Sequence, residues 1–208
     1  MDLKILKILN EIRVSIKQYS EKNNMLFTSY DIEMKIDTNF PILELEPNIE
    51  IGKCSIHGGT YIDIKNWYSL YPGIKVAELD SIFISRMLLC FKNKNNEYLP
   101  LAAIIHTFLH ELSHTITIPE QINSKHITQK RKKIQPTVEN KKKNAFMPNH
   151  HSNNFYINFA KILRIAENLG IYILPKTYHN FQIKNLQRYD SLVNPEDLMS
   201  IGTTKYIL

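Results

Sequence analysis

Cysteine is scarce in this chain: among 208 residues only Cys54 and Cys90 occur. Two cysteines so far apart build neither a disulfide framework nor a CxxC knuckle, so an apolar core must carry the fold, with both thiols reduced and buried. Cys54-Ser55-Ile56-His57 has the spacing of half a metal site, but no second half accompanies it and it reads as a loop. Long apolar runs are missing too, which excludes a membrane-spanning helix. Met1 to Asn10 interrupts its apolar residues with Asp2, Lys4 and Lys7, and no secretory h-region follows. The expectation is a soluble intracellular protein, cytoplasmic or nuclear. There is no internal repeat and no sign of a second domain.

Hydrophobic residues make up 43% of the chain, enough for a sizeable core in one domain spanning 1–208. Asp2 to about Asn23 reads as an amphipathic helix, with Ile5, Leu9, Ile12, Ile16 and Tyr19 on one face. Residues 25 to 52 read as extended, broken by Pro41 and Pro47. Thr60 to Ile64 alternates like a strand after the Gly58-Gly59 turn, and Tyr68 to Gly73 reads as a loop. Ile82 to Phe91 is expected as a central strand, and Lys92 to Glu97 as a polar turn. A stretch at about 121–148 is polar and carries Lys130, Arg131, Lys132, Lys133, Lys141, Lys142 and Lys143. It supplies much of the +6 net charge and reads as an inserted basic loop, either merely solvated or a contact for nucleic-acid phosphates. A second helix follows, with Ser152 as N-cap, an apolar stripe of Phe155, Phe159, Ile162, Leu163, Ala166 and Leu169, and Gly170 as its stop. Ile171 to Leu208 has no strong period and is expected as strands and turns.

The chemistry is concentrated in His110-Glu111-Leu112-Ser113-His114. Residues four apart share a helix face, so both imidazoles can reach one metal ion. Glu111 is turned about 100° from His110, beside that ion, where its carboxylate can take a proton from water. With 8 histidines in the chain, such a pentad arises by chance in only about 2% of comparable sequences. The context is helical: Pro100 suits a first turn, Leu101, Ile104, Ile105, Phe108, Leu112 and Ile116 repeat at three and four, and Pro119 ends the run.

Catalytic zinc takes three protein ligands and keeps one open position. The residues after His114 do not continue into a short Gly-x-x-His extension, so the third ligand must come from further on. His150, His151, Glu139 and Glu167 are the candidates. The spacing favours His151, because Phe155 four residues later can enter the core while His151 faces the cleft. His106, four residues before His110, reads as a partly exposed structural histidine or a second-rank partner of the site. His57, His126 and His179 have no partner pattern. Tyr156, Tyr172, Tyr178 and His106 are equal candidates for oxyanion stabilisation.

These residues resemble the WLM-domain branch of the SprT/WLM-like zinc metalloproteases, including versions encoded by large DNA viruses. The resemblance covers roughly residues 78 to 175: Met87 to Lys92 before the metal helix, Phe108 to His114 within it, His151-Ser152-Asn153-Asn154-Phe155-Tyr156, and Ala166 to Tyr172 with its Leu-Gly-Ile-Tyr. It implies an α+β, zincin-like single domain, with a small sheet packed on the helix that bears the pentad. It implies one zinc per chain held by His110, His114 and His151, with Glu111 as general base. It further implies proteolysis of proteins crosslinked to DNA, in the host cell where the gene is viral. The chain departs from the pattern in its long basic insert and in Ser152, where an acidic residue often stands. The competing reading is a nucleic-acid-binding or scaffold protein with a structural zinc.

Overall fold

The computed structural model describes residues 1–29, 32–44, 58–62, 84–93, 95–117, 120–121, 148–149, 151–178, 180–192 and 202–208. Cys54, His57, the 68–73 loop, Glu139, His150, His126, His179 and all seven basic residues at 130–133 and 141–143 lie outside them.

Helix α1 runs Asp2–Lys22, as its periodicity predicts. It contains no glycine or proline, and Ile5, Leu9, Ile12 and Ile16 are fully buried along one face. Full burial of such a side chain stabilises by about 1.5–3 kcal/mol relative to exposure. Tyr19 only half joins that face, and Ile8 and Arg13 extend it. The buried Arg13 guanidinium donates to Phe40 O at 2.8 Å and to Asn10 Oδ1 at 2.6 Å, and lies over the Phe40 ring. Burial lowers its pKa, and Asp37 acts in the opposite direction. The helix ends at Asn23, and Asn24 takes the left-handed conformation (φ 50°) that asparagine tolerates.

The expected extended region resolves into an antiparallel pair, β1 (Phe27–Ser29) with β2 (Ile32–Met34), followed by β3 (Ile42–Glu44). A three-stranded sheet has β5 (Ile84–Leu89) at its centre, parallel to β3 on one side and antiparallel to β4 (Gly58–Ile62) on the other. β5 is the strand expected within Ile82–Phe91. Its Met87 and Leu89 are buried, as are Cys90 and Phe91 beyond it. Burial, aided by the nearby Glu44 carboxylate, pushes the Cys90 thiol up to about 11.

The polar turn forms where expected. Asn93 Oδ1 accepts from the backbone N–H groups of Asn95 and Glu97, and Asn96 adopts φ 63°. Lys92 lies 3.7 Å from an Asp2 carboxylate oxygen and 3.6 Å from one of Glu44, while Tyr98 donates its hydroxyl to Asp2. Desolvation disfavours the Lys92 charge, but Glu44 and Asp2 outweigh it and hold the ammonium above its usual pKa. This cluster ties the start of α1 to the approach of the next helix.

That helix, α2, is Leu101–His114. Pro100 is its extended N-cap (ψ 136°), one position before the first turn expected for it, and its carbonyl accepts from Ala103 and Ile104. The C-terminus falls before Pro119. Thr115, Thr117 and Ser113 give their hydroxyls to the carbonyls of Leu112, Ser113 and Leu109, saturating the last turn from its own side chains. Burial extends beyond the expected stripe to His106, Leu109, Glu111 and Ser113. α2 is therefore a central helix, packed against β4 and β5, α1 and the next helix.

A two-residue ladder pairs β6 (Glu120–Gln121) with β7 (Pro148–Asn149). It brings Glu120 beside Asn149 and Gln121 beside Pro148. Helix α3 then spans Asn153–Asn168, and the Ser152 hydroxyl caps it by accepting from Phe155 N–H. Its end is a Schellman motif: Gly170 at φ 64° donates to Glu167 O, and Ile171 donates to Ala166 O.

Beyond Ile171 the expectation of strands and turns holds only in part. Ile173 and Thr203 form an antiparallel bridge, but Ile183–Leu192 is a helix, α4, packed on α3. Leu186 is buried, Arg164 lies over the Phe181 ring, and the Asn180 side chain accepts from Gln182 N–H. The helix is amphipathic, with Ile183 and Leu186 three apart against the core, a short period that the reading of 171–208 passed over. The architecture is thus a single small α+β domain of several helices and small sheets. Among the described residues no helix is long and apolar enough to cross a membrane.

Candidate metal centre

α2 carries His110 and His114 on one face, their Nε2 atoms 3.2 Å apart. The turn before α3 brings His151 to them, its Nε2 lying 3.1 Å from that of His110. All three offered nitrogens lie within 4.8 Å of one another, and these residues form the group among the described residues able to hold a metal ion. Three imidazole lone pairs aimed at one point repel each other unless a cation or a proton lies between them. A tetrahedral ion with Zn–N arms of about 2.0–2.1 Å would set its nitrogens about 3.3–3.4 Å apart. The two shortest separations come within a few tenths of an ångström of that, so the donor set fits.

The site has an aromatic floor that the sequence reading did not assign. The fully buried Phe155 ring lies 4.9 Å from that of His110, 4.4 Å from His114 and 4.9 Å from His151, stacked on His114 at 27°. Phe159 adds a contact to His110 at 5.5 Å. The spacing that set Phe155 in the core beneath His151 was a visible signal. What stayed invisible was that the ring touches all three imidazoles. Exposure rises across the site: His110 and His114 are half-buried and His151 is exposed.

Glu111 is 6% exposed, shielded from bulk solvent and directly after His110 on α2. His106 departs from its expected partial exposure. It is 3% exposed, its ring 5.7 Å from Phe159 and 5.4 Å from Tyr172. The reason is that α2 is covered on most of its circumference, so the turn below His110 faces core. Tyr172 is buried there too, its phenol end against Gly202. Of the four oxyanion candidates, Tyr156 packs beside the ligands, its ring 6.2 Å from His151, and Tyr178 is half-buried in a 3-10 turn at Lys176–Tyr178. Glu167 is excluded as a ligand: it sits near the far end of α3, about 24 Å along the axis from His151 at 1.5 Å per residue.

Compared with protein-family models, with curated proteins and with solved structures, the chain matches none of them.

Proposed function

We propose that this chain is a zinc-dependent metallopeptidase of zincin-like architecture, with His110, His114 and His151 holding one zinc and Glu111 serving as general base. The observation that carries the reading is the convergence of the three Nε2 atoms, with separations of 3.1 and 3.2 Å, and with the buried Glu111 directly following His110 on α2. Zinc, when bound, polarises a carbonyl oxygen and brings the pKa of water close to neutrality. Glu111 then takes the proton of the attacking water and passes it to the departing amine. Phe155 closes the underside of the site to water and restrains the three imidazole planes. The peptide would approach from the exposed His151 side, with Tyr156, whose ring lies 6.2 Å from that of His151, as a hydroxyl donor to its carbonyl oxygen. A zinc that only braced the fold would have no use for a carboxylate at position 111.

The substrates we propose are proteins bound or crosslinked to DNA. Two points support this: the resemblance to the WLM/SprT-like metalloproteases, and the seven basic residues at 130–133 and 141–143, which lie in sequence between the second and third ligands. The test is metal content together with cleavage of a protein substrate, with and without single-stranded DNA. One zinc per chain and DNA-stimulated cleavage abolished in Glu111→Gln is the expected result. Zinc without cleavage would favour the structural-zinc reading, and the absence of metal would overturn both.

A further inference from the structure

We propose that Asn158 is a positioning residue for the three-histidine site, setting the distance between the two helices that supply its ligands. This rests on the metal reading above. Asn158 is fully buried on α3, beside the apolar stripe of Phe155, Phe159 and Ile162. Burying an amide costs stability unless hydrogen bonds offset it, and here they come from the nitrogen alone, since the buried Oδ1 has no hydrogen-bond partner among the described residues. Its Nδ2 lies 3.0 Å from Ile116 O, 3.1 Å from Thr117 Oγ1 and 3.1 Å from Thr28 O, so its two N–H groups serve three acceptors, one of them shared.

The position of these acceptors gives the contact its meaning. Ile116 and Thr117 follow His114 by two and three residues, where the chain leaves α2. Asn158 itself lies two helical turns beyond His151. One amide therefore joins the exit of one ligand-bearing segment to the body of the other, and Thr28 adds strand β1 to the same junction. The orientation of the amide is dictated by its partners. Thr117 Oγ1 gives its own proton to Ser113 O at 2.8 Å, so it accepts from Asn158, and the two carbonyls can only accept. The amide nitrogen must face α2.

An apolar residue of similar size would fill the space but take this donor from the buried Ile116 carbonyl and the part-buried Thr28 carbonyl. The helices would then shift or separate to reach water. A metal site tolerates displacements of only about 0.5 Å before its geometry suffers. Loss of the amide should thus appear at the histidines, although Asn158 touches none of them.

The experiment uses the full chain with Co(II) as probe and zinc as competitor. Asn158→Leu should weaken Co(II) binding by about tenfold or more, the range found when partners that hold metal ligands are lost, and should alter the d–d absorption. Thr117→Val, which keeps both backbone acceptors, should shift affinity in the same direction by less and remain folded by circular dichroism. Arg13→Met removes the bond to Phe40 away from both ligand segments. It should lower the melting temperature while leaving Co(II) affinity and spectrum unchanged. If the parent binds Co(II) and both junction variants match it in affinity and spectrum, the proposal is overturned and the metal reading survives. An Asn158→Leu that fails to fold leaves the decision to Thr117→Val, where an unchanged affinity overturns the proposal. Losses no larger than those of Arg13→Met would also overturn it. A parent that binds no metal overturns the metal reading and this inference with it.

Discussion

Removing His151 should separate metal binding from folding more cleanly than removing any other ligand. His151 is exposed and stands outside both helices, ahead of the Ser152 cap. Its loss costs the apo fold little, within about 0.5 kcal/mol as at other surface positions. The site, however, loses the nitrogen 3.1 Å from His110. In the parent, zinc at about a thousand times its Kd stabilises the folded state by about 4.1 kcal/mol. For a domain of this size each kcal/mol moves Tm by about 2–4 °C, so the expected zinc-dependent rise is about 8–16 °C. If two remaining ligands bind at least about a hundredfold more weakly, the same zinc concentration contributes about 1.4 kcal/mol, and the rise falls to about 3–6 °C. The assay is a thermal melt of parent, His151→Ala and His150→Ala, each with chelator and with buffered zinc. The chelated melts of parent and His151→Ala should nearly coincide, and His150→Ala should keep the full zinc effect. An undiminished zinc shift in His151→Ala would refute the ligand assignment. A diminished shift confined to His150→Ala would move the third ligand by one residue.

Glu111→Gln should retain zinc and secondary structure while peptide cleavage falls by at least about a hundredfold, measured by single-time-point zinc analysis and a fluorogenic peptide; parental turnover would remove Glu111 as base. In a Cys54→Ser background, Cys90 should alkylate slowly at pH 8.5, since its thiol ionises near 11. The folded state holds a proton that the unfolded chain gives up near 9, so this contribution is complete below pH 9 and is lost as pH rises toward 11; rapid alkylation by a native, non-unfolding protein would contradict the buried placement. Gly202→Val should destabilise by about 1–3 kcal/mol, because a Cβ there would overlap the Tyr172 phenol; an unchanged denaturant midpoint would show that the 202–208 segment does not pack as described. Serine at all seven positions of 130–133 and 141–143 should reduce DNA affinity and flatten its salt dependence, with zinc content and small-peptide cleavage unchanged; DNA binding equal to the parent's at low and moderate salt would exclude this stretch as a DNA contact.

Local pattern alone determined much of this protein. The apolar period of α1, the β5 strand, the Asn93–Glu97 turn, the Ser152 cap and the Gly170 stop each depend on a few neighbouring residues, so they are legible one segment at a time. The His110–His114 pair is legible for the same reason, since helix geometry alone brings residues four apart together. The tertiary structure decided what no single segment contains. It selected His151 over Glu167 as the residue brought to the pair, because the β6–β7 ladder and the α2–α3 packing carry the turn before α3 back to α2. It buried His106, since the sheet, α1 and α3 together cover most of α2. It made Phe155 a floor for three imidazoles, and it turned Asn158 from an interruption in an apolar stripe into a junction of α2, α3 and β1. It also docked α4 against α3, although the Ile183–Leu186 spacing of that short amphipathic helix was already present in the sequence. Periodicity records which face of a segment is apolar, whereas the identity of the partner across that face depends on contacts between residues far apart in the chain.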